Sequence, residues 1–211
     1  MNKLASFAVV ISIIIISGCT HEVTIRPNLD VTSTIANQLA FKVGLYIPPE
    51  IRSLKMKDKA NWANSYSFDV GQAVSSIIHK SLSRVFKYVE ILEAYPTEQM
   101  IKERSLDFVA AARITDANAS LNIQKGFWAN DAAGNTQISA GLSFFDEKLI
   151  QFTAVQATGT GIGKEGIDLF STGKDEFSVS VEAAIRSLGD NLVQQIYGNY
   201  DIRKKAETKN K

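Results

Sequence analysis

Few side chains in this 211-residue chain could carry covalent or proton-transfer chemistry: one cysteine, Cys19, and two histidines, His21 and His79. A thiolate is both a strong nucleophile and a soft metal ligand. A Ser-His-acid triad would need His79 to meet a serine, and no serine sits in a recognisable nucleophile setting. The acid pairs Asp146–Glu147 and Asp175–Glu176 are adjacent in sequence, which points their carboxylates apart on a strand or marks a turn or a helix start. Turn and cap duty is the expectation for both pairs, and no catalytic residue is assigned.

The stretch GTGIGKEG, Gly159 to Gly166, matches G-x-G-x-x-G at Gly161, Gly163 and Gly166. In dinucleotide-binding proteins such glycines let backbone amides at a helix start approach a pyrophosphate. Here the residues that follow, IDLFSTGKDE, contain a glycine and breakers where that helix should begin. A phosphate-binding P-loop fails as well, because Lys164 precedes Glu165 rather than Ser or Thr. The segment is expected to be a flexible strand connection, with no nucleotide and no cofactor.

Cys19 has a distinctive context. Lys3 is followed by an uncharged run from Leu4 to Ile16, then Ser17, Gly18 and Cys19. A short basic start, an apolar stretch and small residues form the layout of a secretory signal, and the run is too short to span a bilayer comfortably. A free cysteine is otherwise most often a small buried hydrophobe. Ile16, Ser17, Gly18 and Cys19 resemble the lipobox of bacterial lipoproteins, in which the chain is cut before the cysteine and the thiol takes diacylglycerol. The resemblance implies cleavage between Gly18 and Cys19, removal of residues 1–18, and a permanent anchor, since several acyl chains hold a protein where one does not. It also implies that the thiol is consumed, which leaves no His/Cys metal constellation. In that family an aspartate after the cysteine marks inner-membrane retention, so Thr20 implies the outer membrane, facing the periplasm.

Loss of the leader removes Lys3 and leaves 22 basic against 22 acidic side chains. Such a balance gives no reason to expect nucleic acid. Residues 19–40 read as anchor and tether, with one short strand at Glu22 to Arg26; residues 41–200 read as a single α/β domain, and 201–211 as a basic polar tail fraying at the terminus.

Within the domain, Lys42 to Ile47 reads as a strand stopped by Pro48 and Pro49. Val70, Ala73, Val74, Ile77, Ile78, Leu82, Val85 and Phe86 follow the spacing of one buried helix face, with Asp69 as cap and His79 on the solvated side. Tyr88 to Leu92 is the next strand. Thr97 caps a short helix from Glu98 to Arg104. Asp107 to Ile114 reads as a central strand continued more weakly to Trp128. Ala133, Gly134 and Asn135 are expected to turn, and Thr136 to Phe145 with Lys148 to Thr158 to form a hairpin joined at Asp146 and Glu147. Phe177 to Tyr197 is the second long amphipathic helix. The expected class is α+β: a mixed, largely antiparallel sheet with two long amphipathic helices on one face, in the order β-α-β-α-β-β-β-α.

Two places could bind a partner. The segment from Glu50 to Ser67 carries Arg52, Lys55, Lys57 and Lys59, then Trp62 and Tyr66. It reads either as a solvated basic loop or strand extension, or as a docking surface for an anionic headgroup, glycan phosphate or acidic protein. Phe127 and Trp128 either cap the core or form an exposed aromatic tip. In element order the domain looks similar to the periplasmic domains of outer-membrane lipoproteins of the lipopolysaccharide-assembly, curli-secretion and penicillin-binding-protein-activator types. That resemblance covers roughly Phe41 to Tyr197 and transfers no functional residue. It implies a non-catalytic envelope lipoprotein that binds or scaffolds another envelope component; a lipid- or glycan-binding carrier is the alternative. Homo-oligomers are compatible with the sequence, and no feature demands them.

Overall fold

A computed structural model of the chain describes residues 19–25, 29–59, 64–125, 130–167 and 174–209. The leader with Gly18, and the aromatic residues Trp62, Phe127 and Trp128, lie outside the described residues. The elements are β1 (Cys19–Thr24), β2 (Leu39–Tyr46), α1 (Pro49–Arg52), β3 (Lys55–Lys59), β4 (Asn64–Asp69), α2 (Gly71–Val85) and β5 (Phe86–Leu92). They continue with α3 (Glu98–Glu103), β6 (Phe108–Lys125), β7 (Asn130–Phe145), β8 (Gln151–Ile167), α4 (Lys174–Gly198) and α5 (Tyr200–Lys209).

The class is α+β as expected. A five-stranded sheet runs β5-β2-β6-β7-β8, parallel from β5 to β6 and antiparallel from β6 to β8. A second sheet runs β1-β4-β3. Both long helices lie on one face of the large sheet. From α2, Val74, Ile77, Ile78 and Leu82 are buried; from α4, Val181, Ile185, Leu188, Leu192 and Ile196 are buried. They meet Phe41, Val43 and Leu45 of β2 and Ile138, Ala140, Leu142 and Phe144 of β7 in one core. The alternate residues of the strands reach the opposite face, where α3 packs Ile101 with Leu92, Leu106 and Val109. Thr97 caps α3, its hydroxyl accepting from the Met100 amide at 3.2 Å.

Several expectations are corrected. Asp69 does not cap α2: Val70 occupies the cap position without a side-chain hydrogen bond, because Asp69 ends β4, paired with Thr24 and Lys55. Ala133, Gly134 and Asn135 do not turn but pair inside β7 with Lys164, Gly163 and Ile162 of β8. The 18-residue strand β6 is continuous through a bulge between Ile114 and Asp116. That extra residue switches which parity faces the core, from Ala110 and Ala112 to Ala117 and Ala119, and so blurs the alternation in the sequence. Asp146 is the expected turn residue: its carboxylate accepts from the amides of Lys148 at 3.0 Å and Ile150 at 2.9 Å.

Of residues 19–40, expected as anchor and tether, 19–24 and 29–33 pack against the domain. Cys19–Thr24 is a strand parallel to β4. Beyond it, Leu29 and Val31 are buried, and the chain lies across the two long helices. The Asp190 carboxylate of α4 accepts from the amides of Thr32 and Ser33, both at 2.7 Å, and from the Thr32 hydroxyl at 2.6 Å. Lys80 of α2 donates to the Leu29 carbonyl at 2.8 Å and to Asp30 at 2.7 Å. Burial raises the Asp190 pKa, but the hydrogen bonds from Thr32 and Ser33 outweigh it and hold the carboxyl below its usual range. The basic tail likewise does not fray through Lys209. It forms α5, which buries Ile202 and is capped by Asn199, whose side-chain oxygen accepts from the Ile202 amide at 3.1 Å.

The glycines of the G-x-G-x-x-G match lie in β8, not in a phosphate-binding turn. Gly159 and Gly161 face α4. A methyl group at Gly161 would overlap the Ser180 carbonyl oxygen and lie 2.6 Å from the Ala184 nitrogen; at Gly159 it would overlap the Ala184 carbonyl and lie 2.7 Å from Leu188 Cβ. Two strand residues advance about 6.6 Å and four helix residues about 6 Å. The glycine pair therefore tracks Ser180, Ala184 and Leu188 turn by turn.

Two predictions follow from this packing. Gly161→Ala should destabilise the chain by about 3 kcal/mol, read as a lowered thermal midpoint, whereas Gly198→Ala, with no atom within 4 Å of the new methyl, should be nearly neutral. Asp190→Asn should cost about 1–2 kcal/mol. Because the folded Asp190 is the stronger acid, its contribution is complete above the unfolded carboxyl value, about pH 4. It is lost as pH falls through the folded value, so the acid limb of a stability–pH curve should be shallower in the variant. An unchanged limb would refute the anchoring role of Asp190.

Candidate interaction surfaces

The basic segment is ordered by its apolar residues. Met56, Tyr66 and Phe68 are buried, and Phe68 meets Phe177 of α4 edge-on with centroids 4.5 Å apart. Burying these side chains places β3 and β4 as an antiparallel pair, the strand alternative of the sequence reading rather than the loop. With period two, Lys55, Lys57 and Lys59 fall on the parity opposite Met56. Across the strands they pair in register with Asp69, Ser67 and Ser65, which pair in turn with Thr24, Glu22 and Thr20. Lys57 is exposed, and Lys55 lies 3.4 Å from the Glu22 carboxylate. The row lies on an edge strand with lysines at alternate positions, separated by β4 from the strand that opens at Cys19.

Arg52 is not part of that row. It ends α1 and lines a groove of about 440 Å³ with Gln72, Ser75, Ser76 and His79 of α2, walled by Ile47 and Ile91. The four α2 residues recur at helical spacing, so one stripe of the helix supplies every polar group it contributes to the groove. His79 is half-buried here, not on a freely solvated face, and burial lowers its pKa, favouring the neutral ring. Its Nε2 lies 3.4 Å from the Ser83 hydroxyl. The Ser75 hydroxyl is buried without a hydrogen-bond partner among the described residues. Among the described residues no carboxylate lines the groove. The groove can hydrogen-bond a neutral polar group.

A third surface was not legible in the sequence. The outward face of β6, β7 and β8 is a hydrogen-bonded polar ladder. Gln156 donates to the Thr115 hydroxyl at 3.2 Å, Ser139 and Thr158 hydroxyls lie 2.8 Å apart, and Asp116 accepts from Asn118 at 2.6 Å and Gln137 at 3.2 Å. The alternating Ser, Thr, Asn and Gln residues were the available signal, hidden by the change of parity at the bulge.

Among the described residues no group of three or more His, Cys, Asp or Glu side chains gathers to hold a metal ion. Among them, too, no helix is long and apolar enough to cross a membrane.

No family model matches the chain, and no curated protein matches it. Solved structures that align with it include a neuraminyllactose-binding hemagglutinin homolog from Helicobacter pylori, at 12% identity over 89% of this chain and 98% of that one, with a TM-score of 0.44. A minor lipoprotein from Acinetobacter baumannii aligns at 10% identity over 77% of this chain and 95% of that one, with a TM-score of 0.42. The PelC dodecamer from Paraburkholderia phytofirmans aligns at 15% identity over 78% of this chain and 96% of that one, with a TM-score of 0.31. Bacterial lipoproteins are thus among the structures this chain is similar to, at a degree of superposition that transfers no residue role.

Proposed function

We propose that the chain is a lipid-anchored, non-catalytic protein of the bacterial cell envelope that holds another envelope component close to the bilayer, at the outer membrane and facing the periplasm. The observation that carries this reading is the position of Cys19. The sole cysteine, in its lipobox-like context, is the first residue of a strand paired to the folded domain, so an acyl anchor there is joined to the small sheet with no spacer. Thr20, Ser65 and Lys59 are aligned across β1, β4 and β3, which puts the start of the lysine row about 10 Å, two strand spacings, from the strand bearing the anchor. A cationic face held there meets acidic groups on a membrane-bound partner.

Two measurements test the reading. Metabolic palmitate labelling should mark the wild-type chain and not Cys19→Ser, which should leave the membrane fraction; an unlabelled wild type overturns the anchor. A photo-crosslinking side chain at Lys57 should capture a defined envelope protein in cells, and adding Lys55→Glu with Lys59→Glu to that chain should abolish the adduct. Persistence of the same adduct with both reversals would reject the lysine row as the docking face.

A further inference from the structure

The end of α4 remote from the small sheet carries a feature that the anchored surface does not explain. From Phe177, which packs on Phe68 of β4, α4 runs about 30 Å to Gly198, and α5 then folds back against the sheet. One side of α5 is docked in the ordinary way, by Ile202 and Ala206. Beside it, Lys205 and Lys209, also four residues apart, sit over aromatic rings. The Lys205 ammonium is 4.5 Å from the centroid of Phe152 and that of Lys209 is 5.2 Å from the centroid of Phe41. Between this face and the sheet lies an open cavity of about 480 Å³, floored by Phe41, Phe108 and Phe152, within the range of small-molecule sites.

The charges in this cavity are not equivalent. Lys209 is neutralised by Asp107, whose two carboxylate oxygens are both 2.6 Å away; Asp107 is itself held by the Lys42 amide at 2.7 Å. Among the described residues Lys204 and Lys205 make no ion pair. Their ammonium groups rest on Tyr200 and Phe152 instead. Phe41 and Phe108 are buried beneath this face and Phe152 is partly exposed; a packed helix would ordinarily cover such a floor with apolar side chains. Here the rim carries Lys204 and Lys205 with Asp201 beside them, a net positive edge over an apolar floor, which is complementary to a molecule with an apolar body and an anionic head.

We propose that this cavity binds a small anionic amphiphile, a carboxylate or phosphate on an apolar chain, with its body on Phe41, Phe108 and Phe152 and its head at Lys204 and Lys205. The site is independent of the docking face proposed above and lies at the other end of α4. It stands or falls without the lipid anchor.

The test uses the full chain in nanodiscs of phosphatidylcholine and a diazirine-bearing palmitic acid as the photoprobe, with labelled peptides mapped. Label should concentrate on the peptides containing Phe41, Phe152 and α5. Octanoate or octyl phosphate should displace it, and octanol, of the same chain length without charge, should not. Displacement by only one of the two anions supports the site and identifies its headgroup. Lys205→Glu should reduce labelling by about tenfold, with Lys205→Gln giving an intermediate loss at an unchanged thermal midpoint. Label scattered over the chain, displacement by octanol as effective as by octanoate, or full labelling of both Lys205 variants would each overturn the proposal.

Discussion

The close approach of α4 to β8 is the constraint on which the rest of the molecule depends. At Gly159 and Gly161 the helix backbone occupies the space a side chain would fill, so backbone contact at these two positions sets how closely the helix approaches β8. Buried hydroxyls line the same seam. Ser180 donates to the Phe177 carbonyl at 2.8 Å and lies 2.9 Å from the Thr136 hydroxyl of β7, so its polar group is satisfied within the helix–sheet contact. A helix seated this deeply has little freedom to slide or tilt.

With α4 placed, it acts as the spine to which the peripheral parts attach. Phe177 in its first turns receives Phe68 and Tyr66 of the small sheet. Its middle carries Asp190, which ties down the chain from Leu29 to Ser33. Its far end passes through Asn199 into α5. The side chain of Asn199 joins that turn to the large sheet as well, its amide lying 3.2 Å from the Thr153 hydroxyl of β8. The last two attachments each combine buried apolar groups with one well-placed polar side chain, Asp190 and Asn199. Hydrophobic burial supplies the driving force, and the polar group selects the register.

The two ends of that spine differ in chemistry. At one end a three-stranded sheet begins at the single cysteine and carries lysines at alternate positions of its edge strand. At the other, an aromatic floor is roofed by the cationic face of a short helix. The grooves and faces between them are polar and largely self-satisfied, as in the ladder of hydroxyls and amides outside β6 to β8. Among the described residues none of these places brings a nucleophile, a base and an orienting acid together.

Much of this was legible from the residues alone. The two long helices, the short helix capped by Thr97, the hairpin turn at Asp146 and the α+β class follow from local periodicity and from side chains that bond their own neighbours in sequence, so short-range pattern suffices. What the tertiary structure decided involves partners far apart in the chain. The segment from Leu29 to Ser33 has no periodicity of its own, and it is held by Asp190 and Lys80, which no local rule connects to it. The lysine segment became a strand because Tyr66 and Phe68 bury against Phe177. The glycine spacing fits backbone that approaches a phosphate and backbone that approaches a helix alike. The breakers that follow it argue against a phosphate loop, but that Gly159 and Gly161 meet α4 is a property of the packed core.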